Sequence, residues 1–245
     1  MTARNDGVDA LRGLAVLWMT VFHFCFDLNH FGFIQQDFYR SPVWTVQRTC
    51  ILSLFLLCAG MGQALAIHHG QDWARFWRRW RQVAACALLV SAGSAVMFPN
   101  SWIYFGVLHG MAAMLIVCRA SAHGGRGLWL AGAMAVGLGL LAPWAHTVLP
   151  LPTALNDKTW NWLGLIGHKP ITEDYVPLLP WMGVMWWGMA AGQLALARGW
   201  LRPPAGPSPA WRTPLAWIGR WSLSWYMVHQ PVLIGVLGLV QVLRA

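Results

Sequence analysis

The sequence predicts an all-α, polytopic transmembrane helix bundle of about seven spans, with its N-terminus in the cytoplasm. Three observations carry that reading. Of 245 residues, 57% are apolar and only 10% charged, with 18 tryptophans, a balance that no soluble single domain of this size needs. The apolar residues fall into seven runs, each near the length of about 20 residues that a helix needs to cross hydrocarbon. The basic residues gather at the edges of those runs, mostly on one side of the membrane. The length suits one domain, residues 1–245.

The first run, Asp9–Asn29, is too long for a signal-peptide core, carries Asp27, and has no small-x-small cleavage site after it. It reads as a retained first span. Val46–Ile67 follows. The third and fourth spans, Arg81–Phe98 and Trp102–Cys118, are joined by Pro99-Asn100-Ser101, a tight turn that suits a helical hairpin. Leu128–Val148 is the fifth. The sixth, Leu178–Ala197, contains Gly188-Met-Ala-Ala-Gly192, a small-xxx-small face that permits close packing within the bundle or between two protomers of a homodimer. The seventh is Ser222–Leu243.

With the N-terminus inside, the cytoplasmic side holds twelve basic residues: Arg4, Arg12, Arg75, Arg78, Arg79, Arg81, Arg119, Arg126, Arg198, Arg202, Arg212 and Arg220. The other side holds five, Arg40, Arg48, Lys158, Lys169 and Arg244, so the net charge of +9 reads as membrane orientation and not as nucleic-acid binding. The five cysteines are odd in number and lie in apolar runs, as core residues do; no Cys/His spacing suggests a metal. The stretch from His146 to Pro177 is a long outer loop, rich in Trp and Tyr, of the kind that is usually functional or disordered. Leu201–Ala210 is Pro-rich and reads as a linker.

Ionisable groups inside the spans are the candidates for chemistry, because they are costly there unless paired or used. His23 lies eleven residues after Arg12, about 16 Å along a helix. Asp27 is one turn further on the same face, placed to hold the imidazole in one tautomer for work as a general base. The same pair also fits a polar contact joining helices. His229 precedes Gln230 and Pro231; the proline removes an amide donor and frees the carbonyl of Met227, which predicts a kink beside protein or a water-filled cavity. His109 stands alone and also fits a packed, hydrogen-bonded core residue. Arg75-Phe-Trp-Arg-Arg-Trp-Arg81 offers guanidinium forks for phosphates and indole faces for a base, or else an interfacial anchor.

Asp9-Ala-Leu-Arg-Gly-Leu-Ala, His23, Asp27-Leu, Tyr104-Phe-Gly-Val-Leu-His109, Asp174-Tyr-Val-Pro-Leu-Leu-Pro-Trp181 and Gly219-Arg-Trp-Ser-Leu-Ser-Trp-Tyr-Met-Val-His-Gln-Pro231 occur in that order along the chain. Together they resemble the bacterial heparan-alpha-glucosaminide N-acetyltransferase-like membrane proteins. In the wider superfamily of integral-membrane acyltransferases, the sugar O-acetylating branch requires an arginine and a histidine at the spacing of Arg12 and His23. It also has an arginine pair that Arg75, Arg78, Arg79 and Arg81 resemble, thought to bind acyl-CoA. The lysosomal heparan enzyme departs here: an asparagine falls at the position of His23, and its proposed catalytic histidine lies further along, which makes His30 the alternative base.

The resemblance implies a multi-pass acyltransferase of the bacterial inner membrane. Acetyl-CoA is its co-substrate, a glycan or other small acceptor its partner besides the lipid bilayer, and it uses no metal and no nucleic acid. His23 and Asp27 are the expected catalytic pair, and Arg12, Arg75, Arg78, Arg79 and Arg81 the expected donor-binding set. His30, His109, Asp174, Tyr175 and His229 are expected to line the acceptor site. The rival expectation is a proton-coupled transporter using His23 and Asp27 as a relay, against which stand the small size and the lack of an internal repeat.

Overall fold

The computed structural model describes residues 5–201 and 210–244, and among these the regular structure is helical with no strand. The eight α-helices are α1 Asp6–His30, α2 Pro42–His68, α3 Trp73–Met97, α4 Val107–Ala120, α5 Gly127–Val148, α6 Leu178–Ala197, α7 Arg212–Arg220 and α8 Ser222–Arg244. Five of them, α1, α2, α3, α5 and α8, are long and apolar enough to cross a membrane. The protein is a multi-pass membrane protein. Most of the Pro-rich stretch expected as a linker, with Arg202 in it, lies outside the described residues, as does Arg4.

Each of the seven expected spans overlaps a helix, but α4 and α6 are not among the five long apolar ones; the starts of α3 and α4 differ most from expectation, for local reasons. α3 starts at Trp73, eight residues before the expected Arg81, so the arginine-rich segment is helical. Asp72 caps it, its Oδ1 accepting from the Arg75 amide at 2.7 Å. α4 starts at Val107 and not at Trp102, and its 14 residues reach only about 21 Å. Residues 102–106 are non-helical instead. Ile103 donates to Ser94 Oγ at 2.9 Å and accepts from Ser91 Oγ at 2.7 Å, while Phe105 pairs with Tyr175. The polar groups of this non-helical backbone are met by protein, as an apolar setting requires.

The chain divides into two compact units, one of Arg4–Phe55 with Leu201–Ala245 and one of Leu56–Trp200. In the first, α1 packs on α7 and α8. Asn5 Oδ1 caps α1, accepting from Gly7 and Val8 at 3.0 and 3.1 Å. Gly13 faces the Leu215 carbonyl and Gly219 faces the Asp9 carbonyl, so α1 and α7 meet backbone to backbone where a Cβ on either glycine would collide. Along α8, Trp225 reaches Thr20, His229 reaches His23 and Gln230 reaches Asp27. That rising register means that α1 and α8 run in the same direction. Beyond α1, Phe22 makes edge contacts with Phe38 and Trp44, and those two rings stack at 4.1 Å, anchoring the segment before α2.

In the second unit, α4 and α5 pack on α6, and α3 on α4. The small-residue face of α6 is used inside the unit: Gly188 lies against the Leu57 backbone of α2, and Gly192 against Met61 and Ala64. Gly60 of α2 returns the contact against Met185 and Met189.

Candidate active site: the α1–α8 seam and its companions

His23 is placed by the α1 stripe that faces α8, and His229 by the turn of α8 just before Pro231. His23 Nδ1 lies 2.7 Å from His229 Nε2, with the two ring planes 13° apart. His229 Nδ1 is 2.9 Å from the Tyr226 carbonyl oxygen and 3.2 Å from that of Trp225. Carbonyl oxygens only accept, so Nδ1 of His229 carries the proton and its Nε2 presents a lone pair. With both rings neutral, His23 must then donate from Nδ1. Nε2 of His23 is left with its lone pair and no hydrogen-bond partner among the described residues. A lone pair fixed on a known atom is what a base needs.

The helical spacing led one to expect Asp27 beside the His23 imidazole, but no hydrogen bond joins the two. Asp27 Oδ1 accepts from Gln230 Nε2 at 2.8 Å, and its side chain is buried. Position i+4 put it on the right face, but α8 supplies closer partners for both residues. His30 ends α1, exposed, with its ring edge-on to Phe31 at 5.3 Å. Arg12 NH1 donates to Asp9 Oδ1 at 2.8 Å, and Arg220 adds contacts to Asp9 and Asp6. Its guanidinium is therefore already engaged with a carboxylate.

The remaining candidates belong to the second unit. His109 has both ring nitrogens occupied: Nδ1 accepts from the Gly106 amide at 3.3 Å, and Nε2 is 3.0 Å from Ser91 Oγ. Because Ser91 gives its proton to Ile103, Nε2 of His109 is the donor, and the residue closes the first turn of α4. Asp174 Oδ2 accepts from the Val107 amide at 2.7 Å, capping the same helix. Tyr175 donates its hydroxyl to the Asn161 carbonyl at 2.6 Å, and burial, with Tyr104 nearby, pushes that phenol above its ordinary pKa. His109, Asp174 and Tyr175, expected to line the acceptor site, tie the loop between α5 and α6 to the start of α4.

Arg75, Arg78, Arg79 and Arg81 are exposed on the first turns of α3. Arg75 pairs with Asp72 at 3.2 Å. The Arg75 amide, then the Arg75 and Arg78 guanidiniums, hold the Asp72 carboxyl below its usual range. Trp73 and Trp77 lie near-parallel beside them, 6.1 Å apart and half-exposed. Arg119 joins this end of the unit, which the sequence did not reveal. It is buried, donates to the Gln71 carbonyl, and lies over the Trp73 ring at 5.3 Å, with NH1 lacking a hydrogen-bond partner among the described residues. Exposed guanidiniums beside indole faces suit a phosphorylated adenine nucleotide, so the residues fit coenzyme A. Gln230 is the other residue missed; its signal was a polar side chain beside a proline within an apolar run.

The chain is thus a multi-pass helical membrane protein with titratable side chains paired between its first and last helices. The catalytic-domain model of heparan-alpha-glucosaminide N-acetyltransferase matches residues 4–231, and the chain belongs to that family. No curated protein and no solved structure matches the chain. The family implies acetyltransferase activity and does not favour the transporter reading.

Proposed function

We propose that this protein moves an acetyl group from acetyl-CoA, taken from the cytoplasmic side of a bacterial inner membrane, to an amine or hydroxyl of a glycan-like acceptor arriving from the outer face. His23 is the general base. The observation that carries this reading is the fixed proton order of the histidine pair, which leaves Nε2 of His23 as the free lone pair. The thioester supplies an acyl carbon open to attack. As the acceptor nitrogen or oxygen bonds to that carbon, Nε2 of His23 takes the acceptor's proton; the C–S bond breaks with its electron pair on sulfur, and coenzyme A leaves as a thiolate that then takes up the proton from His23. The imidazolium so formed still donates from Nδ1 to His229, whose own proton stays on the backbone carbonyls. His229 thus fills the orienting role expected of Asp27.

Arg78, Arg79 and Arg81, with the Trp73 and Trp77 faces, hold the coenzyme's phosphates and base. The glucosaminide in the family's name makes an amino sugar the first acceptor to try. The seven-span, N-inside topology belongs to the same proposal; parallel first and last helices are what an odd number of crossings gives.

The test is to supply labelled acetyl-CoA and methyl α-glucosaminide to membranes carrying the protein and to follow label in the sugar. Acetyl-CoA should also raise the melting temperature of the purified protein, as any ligand of the folded state does. No binding of coenzyme A or acetyl-CoA at millimolar concentration would overturn the reading.

A further inference from the structure

One turn beyond His23, the α1–α8 seam holds a second polar pair with more acceptors than donors. Gln230 Nε2 donates to Asp27 Oδ1 at 2.8 Å. Asp27 is 2% exposed, and its Oδ2 has no hydrogen-bond partner among the described residues; nor does the buried Oε1 of Gln230. Turning the amide over would set its oxygen against the carboxylate, so the surplus acceptor is a consequence of the pairing. Pro231 has no amide to offer the Met227 carbonyl, which adds a backbone acceptor on the same stretch of α8. His30, three residues past Asp27, is exposed and makes no hydrogen bond to it.

Buried acceptors are nearly always met by donors, and hydrocarbon supplies none. A pair that only joined helices would be balanced, as it is two layers earlier, where Trp225 Nε1 donates to Thr20 Oγ1 and Thr20 donates to the Val16 carbonyl. The Asp27–Gln230 layer lacks a donor. It lies about 6 Å along the axis from the His23 layer, within the length of one sugar ring.

We propose that Asp27 and Gln230 form the acceptor-binding cradle, in which Asp27 Oδ2 and Gln230 Oε1 accept hydrogen bonds from an ammonium or hydroxyl of the incoming molecule. The inference rests on the acyltransferase reading for what that molecule is. The carboxylate favours a cationic donor, so an amine-bearing acceptor binds ahead of its hydroxyl analogue.

The experiment uses the full chain in lipid nanodiscs without acetyl-CoA. Melting temperature is followed against methyl α-glucosaminide and methyl α-glucoside, which differ only in amine or hydroxyl at one carbon. The glucosaminide should protect the wild type saturably. Asp27→Asn, which puts a donor where an acceptor stood, and Gln230→Leu should each raise half-saturation at least tenfold. Asp27→Glu, which keeps the carboxylate, should recover part of the loss. Gel filtration and each variant's own melting temperature identify a misfolded variant, in which case the remaining ones decide. Equal protection by the glucoside, lost in the same variants, supports the cradle with a hydroxyl as its donor. Wild-type half-saturation in a folded Asp27→Asn or Gln230→Leu protein overturns it, as does no protection of the wild type by either sugar. Acetyl-CoA protection, measured separately, tests the acyltransferase reading, so the two can fail independently.

Discussion

His23 and His229 are 206 residues apart in sequence, yet their ring nitrogens meet at 2.7 Å, and the carbonyls behind His229 set which nitrogen of each ring carries the proton. The pair is a short chain of donors ending on main-chain oxygen. Unlike a carboxylate, that terminus is not itself protonated near neutral pH, so while both rings are neutral the tautomer of His23 is held.

His229→Ala removes the acceptor for His23 Nδ1 and should lower kcat for acetyl transfer more than it changes KM. His229→Gln should restore part of the rate, because its carbonyl oxygen can accept from His23 while its amide donates to Tyr226 or Trp225. Equal rates for the Ala and Gln variants would show that the hydrogen-bond order does not matter.

The contact between α1 and α7 depends on the absence of side chains. Gly219→Val would drive a Cβ into the Asp9 carbonyl, and Gly13→Leu would do the same at Leu215. Each should destabilise the first unit by about 1–3 kcal/mol or more, the usual cost of overpacking. Thermal unfolding in detergent measures it.

Tyr175→Phe removes the hydroxyl that binds the Asn161 carbonyl at 2.6 Å. A loss of about 1 kcal/mol is expected, with faster proteolysis of the loop between α5 and α6. Unchanged stability and cleavage would mean that the loop is held by Asp174 and Thr172 without it.

Removing charge at Arg78 and Arg79 together should weaken coenzyme A binding and flatten its dependence on salt, since fewer phosphate contacts are screened. Isothermal titration at two ionic strengths decides this. An unchanged affinity would leave the cluster as a membrane anchor.

The bundle was legible because length and hydropathy are local properties, and every apolar run became a helix. Ends were less so. α3 begins early because Asp72 caps an arginine-rich turn that composition alone marks as a flank. α4 begins late because Ser91, Ser94 and Tyr175 bind the backbone of Ile103 and Phe105 from outside the segment and keep it non-helical. The nine-residue α7 has no counterpart among the expected spans, since its packing rests on Gly13 and Gly219 and not on an apolar run. His23 stood out by depth, but its partner could not be read from spacing along α1. Periodicity says which residues share a face; it does not say what the facing helix presents.

The central claim is that Nε2 of His23 takes the acceptor's proton. Measuring acetyl transfer and acetyl-CoA affinity side by side in His23→Ala and His30→Ala tests it most directly. The account predicts a fall of about 10²–10⁴ in kcat for His23→Ala, with acetyl-CoA still bound, and near-normal turnover in His30→Ala. Full transfer by His23→Ala, with the loss appearing in His30→Ala, would contradict it and assign the base to the end of α1.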